Sequence, residues 1–254
     1  MDQVIELDLS RLTVRELNQY LHHELARQRP VQVEIANPEG RDGLPRMRNT
    51  LRLPARVEIL NPNGMHNLAV GLDTPAMINI RGHAGYFIGA MNKKATITVH
   101  GNVGWSVAEN IMSGTVRVNG CASECAGASG HGGLVVIEGD ASSRCGISMK
   151  GCDIVVGGDV GHLSAFMAQA GTLVVCGDAG PYLGDSLYEA VIYVRGRIHS
   201  FGNDAREESM TSGDHERLAT LLQQSGFGYS PNEFKRVASA RTLYHWHADA
   251  GAKY

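Results

Sequence analysis

The cysteines are the first residues that could carry chemistry. Cys121 and Cys125 form C-x3-C, and Cys145 and Cys152 follow downstream. Zinc or iron–sulfur ligation wants tighter, paired spacing, so the four read as small buried apolar residues. Asp140, Asp159 and Asp178 recur every nineteen residues, each directly after a glycine. A carboxylate row could hold a cation. The competing role for Asp at a Gly-Asp corner is to accept nearby backbone N–H bonds, and the nine-residue repeat of calcium-binding β-rolls is absent. His83, His100, His131 and His162 share no common spacing, and no Ser/His/Asp order or paired acid and base stands out. Gly82-His83-Ala84-Gly85-Tyr86-Phe87-Ile88-Gly89 is G-x-x-G-x-x-x-G, which matches neither nucleotide-loop pattern, and no helix is expected after it. The expectation is a chain with no catalytic, cofactor-binding or metal-ligating residue of its own.

The aspartate spacing belongs to a larger clock. Gly82, Gly101, Gly120, Gly139, Gly158, Gly177 and Gly196 stand nineteen residues apart without a slip. A period of this length signals a stacked repeat. Paired aliphatics keep the same time: Ile78 and Ile80, Ile97 and Val99, Val116 and Val118, Val135 and Ile137, Ile154 and Val156, Leu173 and Val175, Ile192 and Val194. Apolar residues two apart mark short strands with one buried face. A small residue sits seven positions after each glycine, from Gly89 to Gly184, and another just before each strand. One nineteen-residue unit cannot close a core, whereas stacked units pair as parallel strands about 4.8 Å apart. Parallel crossovers default to the right-handed form. The fold class is therefore all-β: a right-handed parallel β-helix of about seven coils, with an α/β N-terminal cap and a helical C-terminal tail.

The spacing divides the chain into an N-terminal cap over 1–62, a β-helix over 63–200 and a tail over 201–254. Val4, Ile5, Leu7 and Leu9 predict a strand, and Thr13-Val14-Arg15-Glu16 is a capping box. Val14, Leu17, Leu21 and Leu25 mark one face of a helix running to about Gln28, with Pro30 beyond it. Val31, Val33 and Ile35 predict a second strand, and Gly40 to Met47 a loop. Val57 and Ile59 would begin an irregular first coil, two residues out of register. Past Arg197 the aliphatic pairs cease, and Asn203 to Glu208 is charged. Asp214 to Gln224 predicts a helix with Leu218, Leu221 and Leu222 on one face, and Ser230-Pro231 a second helix to about Ala240. The tail Leu243-Tyr244-His245-Trp246-His247 is aromatic, and Tyr244 and Trp246 are candidate contacts for a partner or for the helix end.

Between the inward residues of each strand lies an outward one: Asn79, Thr98, Arg117, Val136, Val155, Val174 and Tyr193. The first three are polar and the last four apolar. Leu134 is expected outward and Leu173 inward. An apolar ladder of this length needs covering, so Val136, Val155, Val174 and Tyr193 are a candidate interface, with the chain's own terminal helices or another subunit.

The bulk numbers set outer limits. The 254 residues are 43% hydrophobic and 6% aromatic, with a formal net charge of −3. That composition suits a narrow aliphatic core and carries no basic footprint for nucleic acid or anionic lipid. No apolar run approaches the ~20 residues of a membrane span. Five cysteines, an odd number, and no apparent secretory leader point to the cytoplasm.

Gly82-x-x-Gly85-x-x-x-Gly89, the recurring Gly-Asp-Ala/Val corners and the short aliphatic strands resemble the GXGXG domain, the β-helical C-terminal domain of the glutamate synthase large chain. That family includes β-helical subunits of formylmethanofuran dehydrogenase and its formyltransferase/hydrolase relative. The likeness covers about residues 63–200, and His66-Asn67-Leu68-Ala69-Val70-Gly71 is similar to the segment entering that domain. It departs at Ser123, Ser142 and Asn102. With the leader helix and the aromatic tail, the layout is most similar to the stand-alone GXGXG subunits of N-methylglutamate synthase (methylamine–glutamate N-methyltransferase). The resemblance implies a non-catalytic scaffold in a cytoplasmic hetero-oligomer. It would brace a class II glutamine amidotransferase-like subunit against an FMN-binding glutamate synthase-like subunit. FMN, with or without an iron–sulfur cluster, would lie in that partner. The assembly would convert methylamine and glutamate to N-methylglutamate and ammonia. The alternatives are a β-helical subunit of a formyl-transferring complex and a binding scaffold outside metabolism.

Overall fold

A computed structural model describes residues 4–27, 31–34 and 50–241. Its body is a parallel β-solenoid of about seven turns. Strands β1 (Val4–Asp8), β4 (Ala55–Leu60), β5 (Ala76–Arg81), β6 (Thr96–Val99), β7 (Thr115–Val118), β8 (Leu134–Ile137), β9 (Lys150–Val156), β10 (Ala170–Val175) and β11 (Val191–Val194) lie side by side in that order. The register follows the repeat: Ile78 opposes Ile97, then Val116, Val135, Ile154, Leu173 and Ile192 in turn. The expected slip is present, since Val57 opposes Ile78 and Ile59 opposes Ile80. The aliphatic pairs form the core column, each residue at most 1% exposed.

β9 carries the one irregular step. It is seven residues long, and its pairing with β10 shifts between Ala170 and Thr172. Cys152 takes the place that glycine or alanine holds in other coils and is fully buried. Gly151 beside it turns with φ 142°.

The two ends are closed differently. At the start, Thr13 and Glu16 form the capping box of α1 (Val14–Gln19), which continues through a π-helical turn (Tyr20–Glu24) into α2 (Leu25–Arg27). Leu17, Leu21 and Leu25 are buried in one cluster with Val57, Ile59 and Leu68, so this helix plugs the first coil. Asn18 holds it there, donating to the Asn67 carbonyl and accepting from the Ala69 N–H. β2 (Val31–Glu34) and β3 (Thr50–Leu53) form a separate antiparallel pair. Ile35, the loop Gly40–Met47 and the tail with Tyr244 and Trp246 lie outside the described residues.

At the far end the expectations are met in part. α3 (Ser212–Ser225) is the predicted helix, capped by Thr211 and ended by Gly226 at φ 78°. The second helix is not formed. Ser230 does make a capping box with Glu233, but it starts one 3-10 turn, Pro231–Glu233. The chain then extends as β13 (Lys235–Ser239), which pairs antiparallel with β11. The charged stretch after Asn203 is likewise a strand, β12 (Ala205–Glu208), on the outer edge of β13. The open edge of β11 outweighs the local helical signal, because its unpaired backbone groups need partners. A charged outermost strand then discourages further pairing.

Candidate functional site

Each coil has a strand side, a glycine corner and a turn side. The corner explains the residues that looked most like chemistry. One position after each repeat glycine stand His83, Asn102, Cys121, Asp140, Asp159, Asp178 and Arg197. Each of the first six side chains accepts the backbone N–H of the same position one coil later. Asn102 N–H donates to His83 Nδ1 at 2.9 Å, Cys121 N–H to Asn102 Oδ1 at 2.9 Å, and Asp140 N–H to Cys121 Sγ at 3.4 Å. Asp159 N–H donates to Asp140 at 2.8 Å, Asp178 N–H to Asp159 at 2.6 Å, and Arg197 N–H to Asp178 at 2.7 Å. The aspartates thus accept backbone bonds as expected, but from the neighbouring coil rather than locally. The glycine column follows from this: a Cβ on Gly101 would lie 2.7 Å from the Gly82 carbonyl carbon.

The cysteines do not converge. Cys121 is exposed in that ladder, and Cys145, Cys152 and Cys176 are buried. Burial pushes the thiols of Cys145, Cys152 and Cys176 up to about 12, which makes them poor ligands and poor nucleophiles. Among the described residues, no group of three or more His, Cys, Asp or Glu could hold a metal ion. A recess of about 690 Å³ opens beside the end of α3, lined by Arg117, Glu138, Ser225, Gly226 and Phe227. Its charges are already engaged, since Arg117 bonds both Glu138 and the Ser225 carbonyl.

The strand side carries the apolar ladder. Val136, Val155 and Val174 are fully buried, and Tyr193 is 2% exposed. Val155, Val174 and Tyr193 form a second core with Leu218, Leu221 and Leu222 of α3 and with Phe234; Leu134 packs against it from outside. Leu173 faces the main core. Val155, Val174 and Tyr193 of the candidate interface therefore lie between the solenoid and the chain's own C-terminal segment. Asp214 locks it. Its carboxylate accepts from the Tyr193 hydroxyl at 2.6 Å, from Arg236 Nε at 3.0 Å and from Thr211. Burial works against the charge, but these hydrogen bonds and Arg236 hold the Asp214 pKa down at about 2. Burial and the bond to Asp214 push Tyr193 up.

The turn side is built otherwise. Left-handed residues recur at three alternate positions per coil, such as Phe87, Gly89 and Met91, or Ser106, Ala108 and Asn110. The second and third of these sit at the third place of tight turns, Gly89 in the turn closed by Ala90 N–H to Phe87 O and Met91 in that closed by Asn92 N–H to Gly89 O. Only the middle position is small throughout, so the sequence betrays one of three. This side exposes large apolar groups. Tyr86, Phe87, Met91, Trp105 and Met112 gather toward the start, and Met167, Tyr182, Tyr188 and Phe201 toward the end. His66, Tyr86 and Trp105 stack in a row, with ring centres 4.3 Å and 5.4 Å apart.

Fold and site together define a parallel β-solenoid whose polar repeat residues are spent on joining coils, with one long face covered and another bare. Among the described residues, no helix is long and apolar enough to cross a membrane. No family model and no solved structure matches the sequence. Protein GlxC of Rhizobium meliloti (strain 1021) is 45% identical over 249 residues, 98% of this chain and 99% of the relative. The chain belongs to the same family as GlxC.

Proposed function

We propose that this chain is the non-catalytic scaffold subunit of a glutamate synthase-like enzyme, N-methylglutamate synthase. It braces a class II glutamine amidotransferase-like subunit against an FMN-binding subunit, and the flavin resides on that second partner. The carrying observation is the nineteen-residue solenoid, in which the corner side chains from His83 to Asp178 serve backbone N–H groups of the next coil. Such a ladder makes a stiff rod, and holding two sites in fixed relation needs stiffness. The resemblance of the repeat to the GXGXG domain supplies the nature of the two partners, by analogy of fold.

The test is gentle purification of the tagged chain from its own host, with the visible spectrum and the masses of copurifying chains. A flavin spectrum with two further chains, and N-methylglutamate formed from methylamine and glutamate, is the expected result. Removing this chain should then abolish the coupled reaction. Full coupled activity without it would refute the scaffold role. A flavin-free complex with an amidohydrolase-like chain would move the reading to formyl transfer.

A further inference from the structure

We propose that the segment after Arg241, with Leu243, Tyr244 and Trp246, seats on the far end of its own solenoid and closes the core there. The inference stands apart from the proposed reaction. Two inward columns of side chains run along the solenoid beside the strand column. One passes from Ala84 through Val103, Ala122, Ala141 and Val160 to Ala179, paired coil to coil, and no member is more than 6% exposed. The other passes from Ile88 through Val107, Ala126, Cys145 and Ser164 to Leu183, each at most 1% exposed. The last rung of each column departs from this rule. Ile198, paired with Ala179, is only partly buried, and Phe201, paired with Leu183, is 38% exposed. Among the described residues, both columns therefore stay open at this end.

The other openings are shut. Leu17, Leu21 and Leu25 plug the start, and Val237 of β13 closes the strand column, opposing Ile192 and fully buried. At the far end the backbone is open as well. The Arg197 carbonyl and the His199 N–H bond back to Ala179, so Ile198 between them turns its own N–H and carbonyl outward. An edge of this kind needs covering. The course of the chain names the occupant. After β13, Ala240 N–H bonds the Asp204 carbonyl, and Arg241 pairs with the Asp204 carboxylate at 2.6 Å. Asp204 stands three residues after Phe201, so the chain is delivered to the rim of the open end. Five extended residues reach about 17 Å, which brings everything from Leu243 to Trp246 within range. Two of those four residues are aromatic in a chain that is 6% aromatic. A segment tethered this closely has an effective concentration of order millimolar, which a free partner does not match. The far end is then closed by the chain itself, and other subunits are left the flanks.

Fluorescence of the full-length chain tests this, because Trp105 and Trp246 are its two tryptophans. In Trp105→Phe the remaining Trp246 should emit at shorter wavelength than in a peptide of residues 242–254, and acrylamide should quench it several-fold less. Adding Phe201→Asp should remove both differences with far-ultraviolet circular dichroism unchanged. A second variant leaves the solenoid untouched. Tyr244→Ser combined with Trp246→Ser should speed amide exchange over residues 198–204, while Ser212–Ser225 keeps wild-type rates. Peptide-like emission and quenching overturn the proposal and leave the end to another subunit. Wild-type exchange in the tail variant overturns it as well. So does a short-wavelength emission that survives Phe201→Asp in a folded chain, or one that grows with protein concentration, which makes the occupant a second copy.

Discussion

The strand side and the turn side of this solenoid both carry apolar side chains but reach different ends. On the strand side, β-branched residues stand in register and make a flat row that α3 covers. Val155 and Val174 are fully buried there, and Tyr193 and Asp214 fix the helix polar end to polar end. On the turn side, the backbone bends at every second residue, and the large groups are aromatic or methionine and stay exposed. A regular surface can be closed by the chain's own helix. An irregular one, with its apolar groups at two ends, offers a helix no such flat seat. Apolar content alone therefore does not tell a core from a docking face; what lies above it does.

Substitutions on the two sides should separate sharply. Val155→Lys puts a charge beneath α3 and should cost about 3–5 kcal/mol, read by urea unfolding and by fast hydrogen exchange along Ser212–Ser225. A wild-type midpoint would break the contrast. Leu221→Ala leaves a cavity in the same cluster and should cost about 2–5 kcal/mol. Asp214→Ala removes the reciprocal half of the α3 capping box and strands Tyr193 and Arg236, at about 1–3 kcal/mol. The pH dependence of this lock has a definite sign. Asp214 is held at about 2 in the folded chain against an ordinary 3.8, so its contribution is complete above about 4 and is lost as pH falls toward about 2. Wild type should thus lose stability relative to Asp214→Ala over that interval, in thermal melts at stepped pH. Trp105→Glu, on the bare side, should shift monomer stability by less than about 0.5 kcal/mol. A large loss there would mean that the turn side belongs to the core after all.

The body of the fold was legible because each coil repeats one set of steric demands. The inner pairs from Ile78 to Val194 and the corner glycines recur since the next coil leaves no other choice. The capping box at Thr13 and the cap at Ser230 were also readable and are present. The second was over-read, because a cap shows where a helix can start and not that it continues. Lys235 to Ser239 has a partner in β11 that no local pattern reveals. The same holds for the charged β12. The ladder from His83 to Asp178 was half legible: the aspartates stood out, but His83, Asn102 and Cys121 look unrelated until their shared acceptor role appears. The first left-handed position of each coil left no trace, since Phe87, Arg144 and Tyr182 are not residues chosen for that backbone.

The pairing of β1 has a consequence for how the molecule is made. Successive coils join residues nineteen apart, but Val4 pairs with Arg56 and Asp8 with Leu60. β1 is made before its template, which lies about fifty residues behind it, and must wait for it. The later coils each find theirs already laid down. Coil-on-coil growth is thus cheap in loop closure, whereas β1 is fastened by one of the longer reaches in the solenoid.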